Sequence, residues 1–405
     1  MTQHPTIHQQ QERAGAETMN YGPPPDHGGI EIVESFGQFP LEYAAIRQRV
    51  GIMHLPQRGI LRFTGDDRQD FLHRMLTQDI NGMTGGATRR AFQLNNKGRI
   101  VADVVVHHGD ACTWLELDRL DIVALKELLE AKLFAEDVTI ETFSDERVAM
   151  AVMGPAAVAL VESLREDGTE AGQIEPGTHH VLKFGDALTT VYRWDDVGAP
   201  AFRLFVPSDA ADAVYAKLLD AAGYDAERDV EPDEAYARER REGLRGRPVG
   251  WSAYNTTRIE AGSPLFHIDF GADSLPAETG LLKETVSFNK GCYLGQEIVA
   301  RMHNLGHPRR VLVGLKVIGE ALPVAGAPVY EPTAKGEGMA KSNIVGGVTS
   351  STLSPLLGNV PIAFAVIKWG NHTPGTKLAV VAEGELVDAE VQALRFVAGD
   401  DAGGQ

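Results

Sequence analysis

The chain has 405 residues, 43% of them hydrophobic and 23% charged, with a formal net charge of −18 at pH 7. This length suggests two or three domains, and this composition is that of an ordinary globular protein. The negative charge disfavours stable binding to nucleic acid or to an anionic membrane surface, and the apolar runs fall short of the roughly 20 residues of a membrane span.

Residues 1–29 form a polar stretch, rich in Gln and Pro, that lacks the apolar and basic regions of an export signal. We expect this stretch to be disordered. The chain has only 2 cysteines, too few for a disulfide framework or a four-ligand zinc site. These features predict a cytoplasmic protein without a metal site.

Residues 30–146 alternate predicted strands and helices. The apolar spacing in FPLEYAAIRQRVGIMHL indicates a helix that runs into a turn at Gly51. There follow a strand (RGILRFTG), a helix (RQDFLHRMLTQDI), a meander of strands (TRRAFQLNNKGRIVADVVVHHGDACTWLEL), a helix (DIVALKELLEAKLF) and a strand (DVTIETFS). Residues 147–309 repeat this order, so the two segments predict an α+β fold of two ferredoxin-like, split β-α-β units.

Residues 310–397 contain short apolar segments broken by Gly and Pro, such as RRVLVGLKVIG and GAPVYEP. This pattern is typical of a small all-β domain, and we expect a C-terminal β-barrel. We expect residues 398–405 to form a disordered tail. The sequence has no long heptad pattern, which favours a monomer.

One cysteine, Cys292, lies in the segment FNKGCYLGQE, residues 288–297. A thiol reacts as its thiolate, which the cation of the neighbouring Lys290 would stabilise. The glycines of the segment allow a tight turn and a close approach to a ligand, and a predicted helix, QEIVARMHNLG, begins at its end. The segment therefore predicts a reactive thiol, with a small buried side chain as the alternative. Cys112 has no such neighbours, and we expect it in the core.

Three charged residues are candidates for ligand binding. In RIVADVVV, Asp103 falls among apolar residues of a predicted strand, where a carboxylate is costly without a partner. A ligand amine or a buried arginine could be that partner, and an edge strand with Asp103 facing water is the alternative. In TTRIEAGSPLFHIDF, Arg258 and Glu260 would share one face of a strand and could pair with each other or grip an anion.

The sequence excludes several common enzyme classes. It contains no HExxH motif, P-loop, G-x-S-x-G motif or dinucleotide-binding fingerprint. We therefore do not expect a zinc enzyme, a nucleotide hydrolase or a serine hydrolase.

The segment KGCYLGQE resembles the signature of the YgfZ family. Proteins of that family are folate-binding relatives of the glycine cleavage T-protein (aminomethyltransferase). RIEAGSPLFHIDF, LPAETGLLKETVSFNKG, GDDRQDFLHRMLTQDI and LNNKGRIVADVVV are similar to other parts of that superfamily. The resemblance implies two ferredoxin-like units and a C-terminal β-barrel in a cloverleaf, with tetrahydrofolate or a related folate as cofactor. It also implies a role in assembly or repair of iron–sulfur proteins, with those proteins or their assembly machinery as transient partners.

The same resemblance implies roles for individual residues. Asp103 matches the acidic residue that faces the reactive folate nitrogens, and Arg258 lies in the stretch that approaches the anionic part of folate. Lys290, Cys292 and Tyr293 match motif residues, with Lys290 and Tyr293 expected near the cofactor and Cys292 as a functional thiol.

The sequence departs from the T-protein at two places. Cys292 and Tyr293 replace an acidic, aromatic stretch, which favours the YgfZ family. Arg203 stands where the T-protein has a glutamate that reads the pterin ring, and a guanidinium cannot accept hydrogen bonds. Our leading hypothesis is a folate-binding accessory factor for iron–sulfur proteins. The alternatives are tetrahydrofolate-dependent aminomethyl transfer and a folate-binding scaffold without chemistry.

Overall fold

The structure is a computed structural model that describes residues 6–166, 174–230, 234, 238, 242–332 and 343–397. In these ranges, none of the helices combines the length and the apolar character needed to cross a bilayer. The predicted disordered tail, 398–405, lies outside the described residues.

The elements before residue 262 are mostly short strands with helices between them. In chain order they are α1 (Ile7–Arg13), β1 (Glu17–Tyr21), β2 (Ile30–Ser35), α2 (Phe39–Gln48), β3 (Gly51–His54), β4 (Arg58–Thr64), α3 (Arg68–Met75), β5 (Ala87–Leu94), β6 (Ile100–His108), β7 (Thr113–Asp118), α4 (Ile122–Glu130), β8 (Thr139–Thr142), β9 (Arg147–Met153), α5 (Ala157–Leu164), β10 (His179–Phe184), β11 (Ala187–Arg193), β12 (Ala201–Pro207), α6 (Ala211–Ala221), α7 (Ala226–Val230), β13 (Arg247–Pro248) and α8 (Trp251–Ala261).

The later elements are two α-helices and six strands among the described residues. They are α9 (Leu282–Thr285), α10 (Gln296–Leu305), β14 (Arg310–Val317), β15 (Pro328–Tyr330), β16 (Ile344–Ser354), β17 (Val360–Lys368), β18 (Lys377–Ala382) and β19 (Glu385–Gln392). The six strands form a closed barrel in the order β14-β17-β16-β15-β18-β19. Its core is apolar, with Leu315, Ile367 and Val380 fully buried. The predicted C-terminal barrel is confirmed.

The first sheet has the order β5-β6-β7-β4-β8. Without the edge strand β5, the remaining strands follow a ferredoxin-like order, in which the last strand, β8, lies beside the first, β4. Helix α4 buries one face, and Ile122, Leu125 and Leu129 on that face are at most 3% exposed. The apolar spacing of the sequence predicts this face.

The second sheet has the order β10-β11-β12-β9-β3-β13. Here β3 takes the place of the last ferredoxin-like strand and pairs antiparallel with β9, so that Gly51 lies opposite Met153. The predicted turn at Gly51 is therefore wrong, because Gly51 begins a buried strand. A Cβ at Gly51 would lie 3.0 Å from the side chains of Ile46 and Val249, so glycine permits the close packing on this strand.

The predicted disorder before residue 30 is wrong for the described residues 6–29. The Thr6 side chain accepts from the backbone of Gln9, and the Gln9 side chain accepts in return, which makes a capping box for α1. Ile7 is 6% exposed and belongs to the core around the second sheet. Its backbone N–H donates to Asp212 at 2.8 Å. The sequence did not predict this contact, because Ile7 is the only buried hydrophobic residue within the described range 6–29.

The chain divides into two compact units. The first comprises residues up to Leu72, Ile80–Arg90 and Val104–Tyr254, and the second comprises His73–Asp79, Ala91–Asp103 and the chain from Asn255 onward. This division differs from the predicted boundaries, because most of 30–146 and 147–309 share the first unit. The segment 255–309, with the cysteine motif, belongs with the barrel strands instead.

Candidate ligand-binding site

All five predicted site residues belong to the second unit. Asp103 lies on β6 and is half-buried, between the fully buried Ala102 and Val104. Strand β6 lies between β5 and β7, so the alternative of an edge strand is wrong. A carboxylate in this position is partly desolvated and still accessible, which suits contact with a polar ligand.

Gln93, which the sequence analysis missed, lies on β5, the neighbour of β6. Its side chain is fully buried, and its Nε2 donates to the Leu94 carbonyl at 2.8 Å. Its Oε1 is buried and has no hydrogen-bond partner among the described residues. Buried acceptors are nearly always satisfied, by a water molecule or a ligand where the protein offers no donor, so this oxygen is a candidate ligand contact.

Lys290 closes the C-terminal end of α3. Its Nζ donates to the carbonyl of His73, and to those of Leu76 and Gln78 at 2.6 and 3.0 Å. These carbonyls end the helix and begin the next turn, where a cation is favourable. Burial lowers the pKa of Lys290 to about 8, while the Asp79 carboxylate opposes that shift. At pH 7 the side chain therefore remains an ammonium.

The three donors of this ammonium are all engaged with backbone carbonyls. The geometry therefore gives no support to Lys290 as the group that holds Cys292 as a thiolate. Lys290 instead joins the motif segment to the residues after α3. Its Nζ also lies 4.9 Å from the centre of the Tyr293 ring, a cation–π contact.

Tyr293 is 7% exposed and lies in a hydrophobic cluster with Phe92, Ile100 and Phe270. Burial raises the pKa of its hydroxyl to about 12. This side chain therefore contributes mainly to packing, and contact with a cofactor remains a prediction for it.

Cys292 is exposed, in the segment between α9 and α10. The segment FNKGCYLGQE turns at Gly295, which has a φ of 83° and immediately precedes α10. A Cβ at Gly295 would lie 2.7 Å from the Asn95 carbonyl oxygen, so only glycine fits this turn. The alternative of a small buried side chain is wrong for Cys292. Cys112 is partly exposed rather than in the core, because it lies between a bend at Asp110 and Ala111 and the start of β7.

Arg258 lies on helix α8, not on the predicted strand. It is fully buried, and its Nη1 donates to Asp269 at 2.7 Å. Its other partners are the Asn255 side chain, the Ser263 carbonyl and the Ser350 hydroxyl.

The predicted pairing of Arg258 with Glu260 is thus wrong, because residues two apart on a helix point in different directions. Ser354 donates to Glu260 instead. With four of its five N–H groups bonded within the chain, Arg258 has little capacity left for an anionic ligand.

In the first unit, Arg203 lies on β12 and pairs with Asp196 at 2.5 Å. The Tyr254 hydroxyl donates to the same carboxylate at 2.6 Å. Burial lowers the pKa of Arg203, but Asp196 and Tyr254 outweigh burial, so the pKa ends above its ordinary value. Arg203 was identified from the sequence as a departure from the T-protein, but its partner, Asp196, was not.

Comparison with known families agrees with this fold. Residues 7–232 match the family model described as the GCVT N-terminal domain, and residues 310–397 match the glycine cleavage T-protein C-terminal barrel domain. The chain belongs to the glycine cleavage T-protein family.

Individual relatives match over nearly the whole chain. An aminomethyltransferase of Prosthecochloris aestuarii is 26% identical over 391 residues, covering 95% of this chain and 96% of the relative. An aminomethyltransferase of Cutibacterium acnes is 27% identical over 381 residues, covering 92% and 93%. The crystal structure of the glycine cleavage system aminomethyltransferase T from Bartonella henselae has a TM-score of 0.80 at 21% identity and covers 97% of each chain, which shows the fold.

The predicted fold, with its C-terminal barrel, is therefore confirmed. These relatives match the T-protein side of the resemblance. Membership of the YgfZ family stays a prediction that rests on the segment KGCYLGQE.

Proposed function

We propose that this protein transfers a one-carbon unit from an amine donor to tetrahydrofolate and works as a monomer. The observation that carries this proposal is the full-length match to proteins named aminomethyltransferase, combined with a half-buried carboxylate, Asp103, on an interior strand. This was the alternative to our leading hypothesis from sequence, and it has the broader support.

The residues of the second unit fit a folate. Gln93 Oε1 is a buried acceptor without a partner, and Asp103 adds a carboxylate on the neighbouring strand. Both would accept hydrogen bonds from the N–H groups of a reduced folate ring. When bound, tetrahydrofolate supplies the nucleophilic nitrogens that receive the one-carbon unit.

Asp103 would orient the ligand and accept the proton that the folate nitrogen loses when it bonds to the one-carbon unit, while the amine of the donor leaves as that bond to carbon breaks. Lys290 and Arg258 would have structural roles. Lys290 bonds to the carbonyls at the end of α3, and Arg258 joins α8 to β16.

The test is formation of methylenetetrahydrofolate from tetrahydrofolate and a series of aminomethyl donors, both lipoyl-bound and free. We expect Asp103→Asn to lower kcat by about 100-fold or more, because general acid–base groups contribute at that level. Asp110→Asn, an exposed aspartate in the turn after the same strand, is the matched control. Lack of product with every donor, or full activity of Asp103→Asn, would refute the proposal.

A second candidate function is supported by the exposure of Cys292. In this case the chain would bind folate and support iron–sulfur proteins or their assembly machinery through transient contacts of the thiol. The test is the activity of a labile iron–sulfur enzyme in a deletion strain that carries wild type, Cys292→Ser or Asp103→Asn. Rescue by Asp103→Asn but not by Cys292→Ser supports this second function, and rescue by both variants favours a folate-binding scaffold without chemistry.

A further inference from the structure

A cleft of about 620 Å³ lies within the second unit, between the loop 267–274 and the strands β16 and β17. Its floor is largely apolar and includes Ile268, Val366 and Ile367. Among the described residues that line it, none is one of the five predicted site residues. Sites for small molecules usually have volumes of about 300–1,000 Å³, so this cleft is large enough to hold a ligand of its own.

The two walls of the cleft are held together by Asp269, which is 1% exposed. One oxygen of its carboxylate accepts from the hydroxyls of Thr349 and Ser350 on β16, at 2.9 and 2.5 Å. The other oxygen accepts from Arg258 and from the backbone N–H of Leu265, at 2.7 and 2.9 Å. Because a buried carboxylate with four donors fixes the loop to the strand, the cleft is preformed and needs little reorganisation to accept a ligand.

Cations lie side by side at one end of the cleft. Arg310 on β14 and Lys368 on β17 both line it, and they are register partners in the barrel. Like charges directly opposite each other destabilise a strand pair. Arg310 pairs with Asp273 at 2.6 Å and with Glu278 at 3.3 Å, and Arg99 also donates to the Asp273 carbonyl. Among the described residues, three cations thus share two carboxylates.

Lys368 is the cation that these carboxylates leave unpaired. Its side chain is exposed, and among the described residues its Nζ donates only to the Ile344 carbonyl, at 2.9 Å. An ammonium has three donors, so two remain for a ligand. The neighbouring Arg310 bonds through Nε and Nη2, and its Nη1 has no hydrogen-bond partner within the described part of the chain. This end of the cleft can therefore receive an anionic group.

An apolar surface lies directly beside these donors. Val366 is half-buried and comes two residues before Lys368 on β17, so the two side chains share one face of the strand. Gly347 on β16 lies opposite Val366. A Cβ at Gly347 would meet nothing closer than 3.7 Å, so glycine leaves free space over Val366. A ligand with an anionic end and an apolar body matches this order of charge and apolar surface.

We propose that this cleft binds a small apolar or aromatic molecule that carries one anionic group. The anionic group lies between Lys368 and Arg310, and the apolar body covers Val366 in the space that Gly347 leaves free. Burial of the apolar body supplies most of the affinity, and the cations set its orientation. This inference goes beyond the proposed function, because none of these residues takes part in the one-carbon transfer.

The test is a fluorescence titration of the full chain with anilinonaphthalene sulfonate, and in parallel with phenylnaphthylamine, which has the same rings without the sulfonate. We expect the anionic probe to bind saturably at a single site. Lys368→Gln should weaken its binding by about 5-fold, the level of one partly exposed ion pair, and leave binding of the neutral probe unchanged. Gly347→Leu, which fills the space over Val366, should weaken binding of both probes by about 10-fold or more.

Lys316→Gln is the matched control, because Lys316 is an exposed lysine of the barrel that lies on β14 opposite Glu390, outside the cleft. It should keep the wild-type affinity for both probes. An effect of Lys368→Gln no larger than that of Lys316→Gln, or an equal effect of Lys368→Gln on both probes, would overturn the inference. Both lysines are exposed, so these variants test it even if Gly347→Leu does not fold.

Tetrahydrofolate separates this cleft from the site of the proposed function. We expect stoichiometric tetrahydrofolate to leave the anionic probe bound. Displacement of the probe would show that it occupies the folate site, and would overturn this inference without affecting the proposed function. Lack of methylenetetrahydrofolate formation, with probe binding that depends on Lys368, would refute the proposed function and leave this inference standing.

Discussion

At the residue scale, two buried arginines differ in how many of their N–H groups are hydrogen-bonded. Arg258 uses four of its N–H groups within the chain, whereas Nη1 of Arg203 has no hydrogen-bond partner among the described residues. The first arrangement holds α8 against β16, and the second pairs Nη2 of Arg203 with the Asp196 carboxylate. The distinction depends on neighbouring side chains, because both residues are equally cationic.

The ion pair of Arg258 with Asp269 should be essential for stability. Both side chains are 0% exposed, so Arg258→Met would leave an uncompensated buried carboxylate. We expect the free energy of unfolding to fall by about 3–5 kcal/mol. Urea unfolding measures this change. The control is Arg119→Met, whose partner Asp145 is 82% exposed, and which should cost about 1 kcal/mol or less. Equal losses in the two variants would contradict the prediction.

The two cysteines should differ in reactivity. Cys292 is exposed, whereas Cys112 is only partly exposed. We expect a thiol reagent such as Ellman's reagent to modify Cys292 first, since access limits the reaction of a surface thiol. The rate of modification is compared between wild type and Cys292→Ser, and the fast reaction should be absent from the variant. A fast phase that persists in Cys292→Ser would show that Cys112 is the accessible thiol.

At the element scale, a buried polar network joins β6 and β7 to β10 and β11. Glu116 on β7 pairs with Arg58 at 2.8 Å and lies 3.4 Å from His107, and Tyr192 donates to it. Burial raises the pKa of Glu116, but Arg58 and His107 outweigh burial and bring it down to about 2.

The same network extends to His179 on β10. The Thr88 hydroxyl lies 3.1 Å from Nδ1 of His107 and 3.2 Å from Nδ1 of His179. Each of these groups belongs to the first unit, so the network is a feature of that unit.

This network should make the protein sensitive to mild acid. Burial, with His107 beside it, lowers the pKa of His179 from 6.5 to about 4. The unfolded chain therefore binds a proton that the folded chain does not, and stability present above pH 6.5 is lost as the pH falls towards 4. Between pH 7 and pH 4.5, we expect the free energy of unfolding of His179→Gln to fall by about 2 kcal/mol less than that of wild type, as measured by urea unfolding. Equal losses of unfolding free energy in wild type and His179→Gln would show that the acid-sensitive group lies elsewhere. The control is His8→Gln, because His8 is exposed.

Helix α1 should contribute to stability despite its terminal position. Ile7 is 6% exposed within the core around the second sheet, and replacing it with alanine removes buried apolar volume. We expect Ile7→Ala to lower the free energy of unfolding by about 2 kcal/mol. His8→Ala, on the exposed face of the same helix, should change it by less than about 0.5 kcal/mol. If both variants unfold like wild type, α1 does not anchor the N-terminal segment.

At the scale of the whole molecule, the net charge and the fold determine different properties. The net charge of −18 does not select the family fold, but it governs non-specific association. We expect no binding to a labelled DNA duplex at 150 mM salt, in a fluorescence-anisotropy titration, because the chain cannot neutralise enough phosphates. Saturable binding that weakens steeply with salt would contradict this expectation.

Several features followed from the sequence because they depend on local pattern. The apolar stripe of α4 and the Gly- and Pro-broken strands of the barrel have periods that are visible in a single segment. The turn at Gly295 was also foreseeable, since glycine next to a helix start has few other uses. Asp103 was identified because a carboxylate interrupts an apolar strand.

Other features were decided only by tertiary structure. Strand β3 joins the second sheet, and Ile7 packs into its core, although both lie before the segment that forms most of that sheet. Lys290 was predicted to serve Cys292, its neighbour in sequence, and instead bonds to carbonyls more than 200 residues away. The sequence determined which local elements form and which family the chain resembles. The partners of its buried polar groups were decided by folding, because hydrogen bonds and ion pairs depend on distances in space that residue order does not contain.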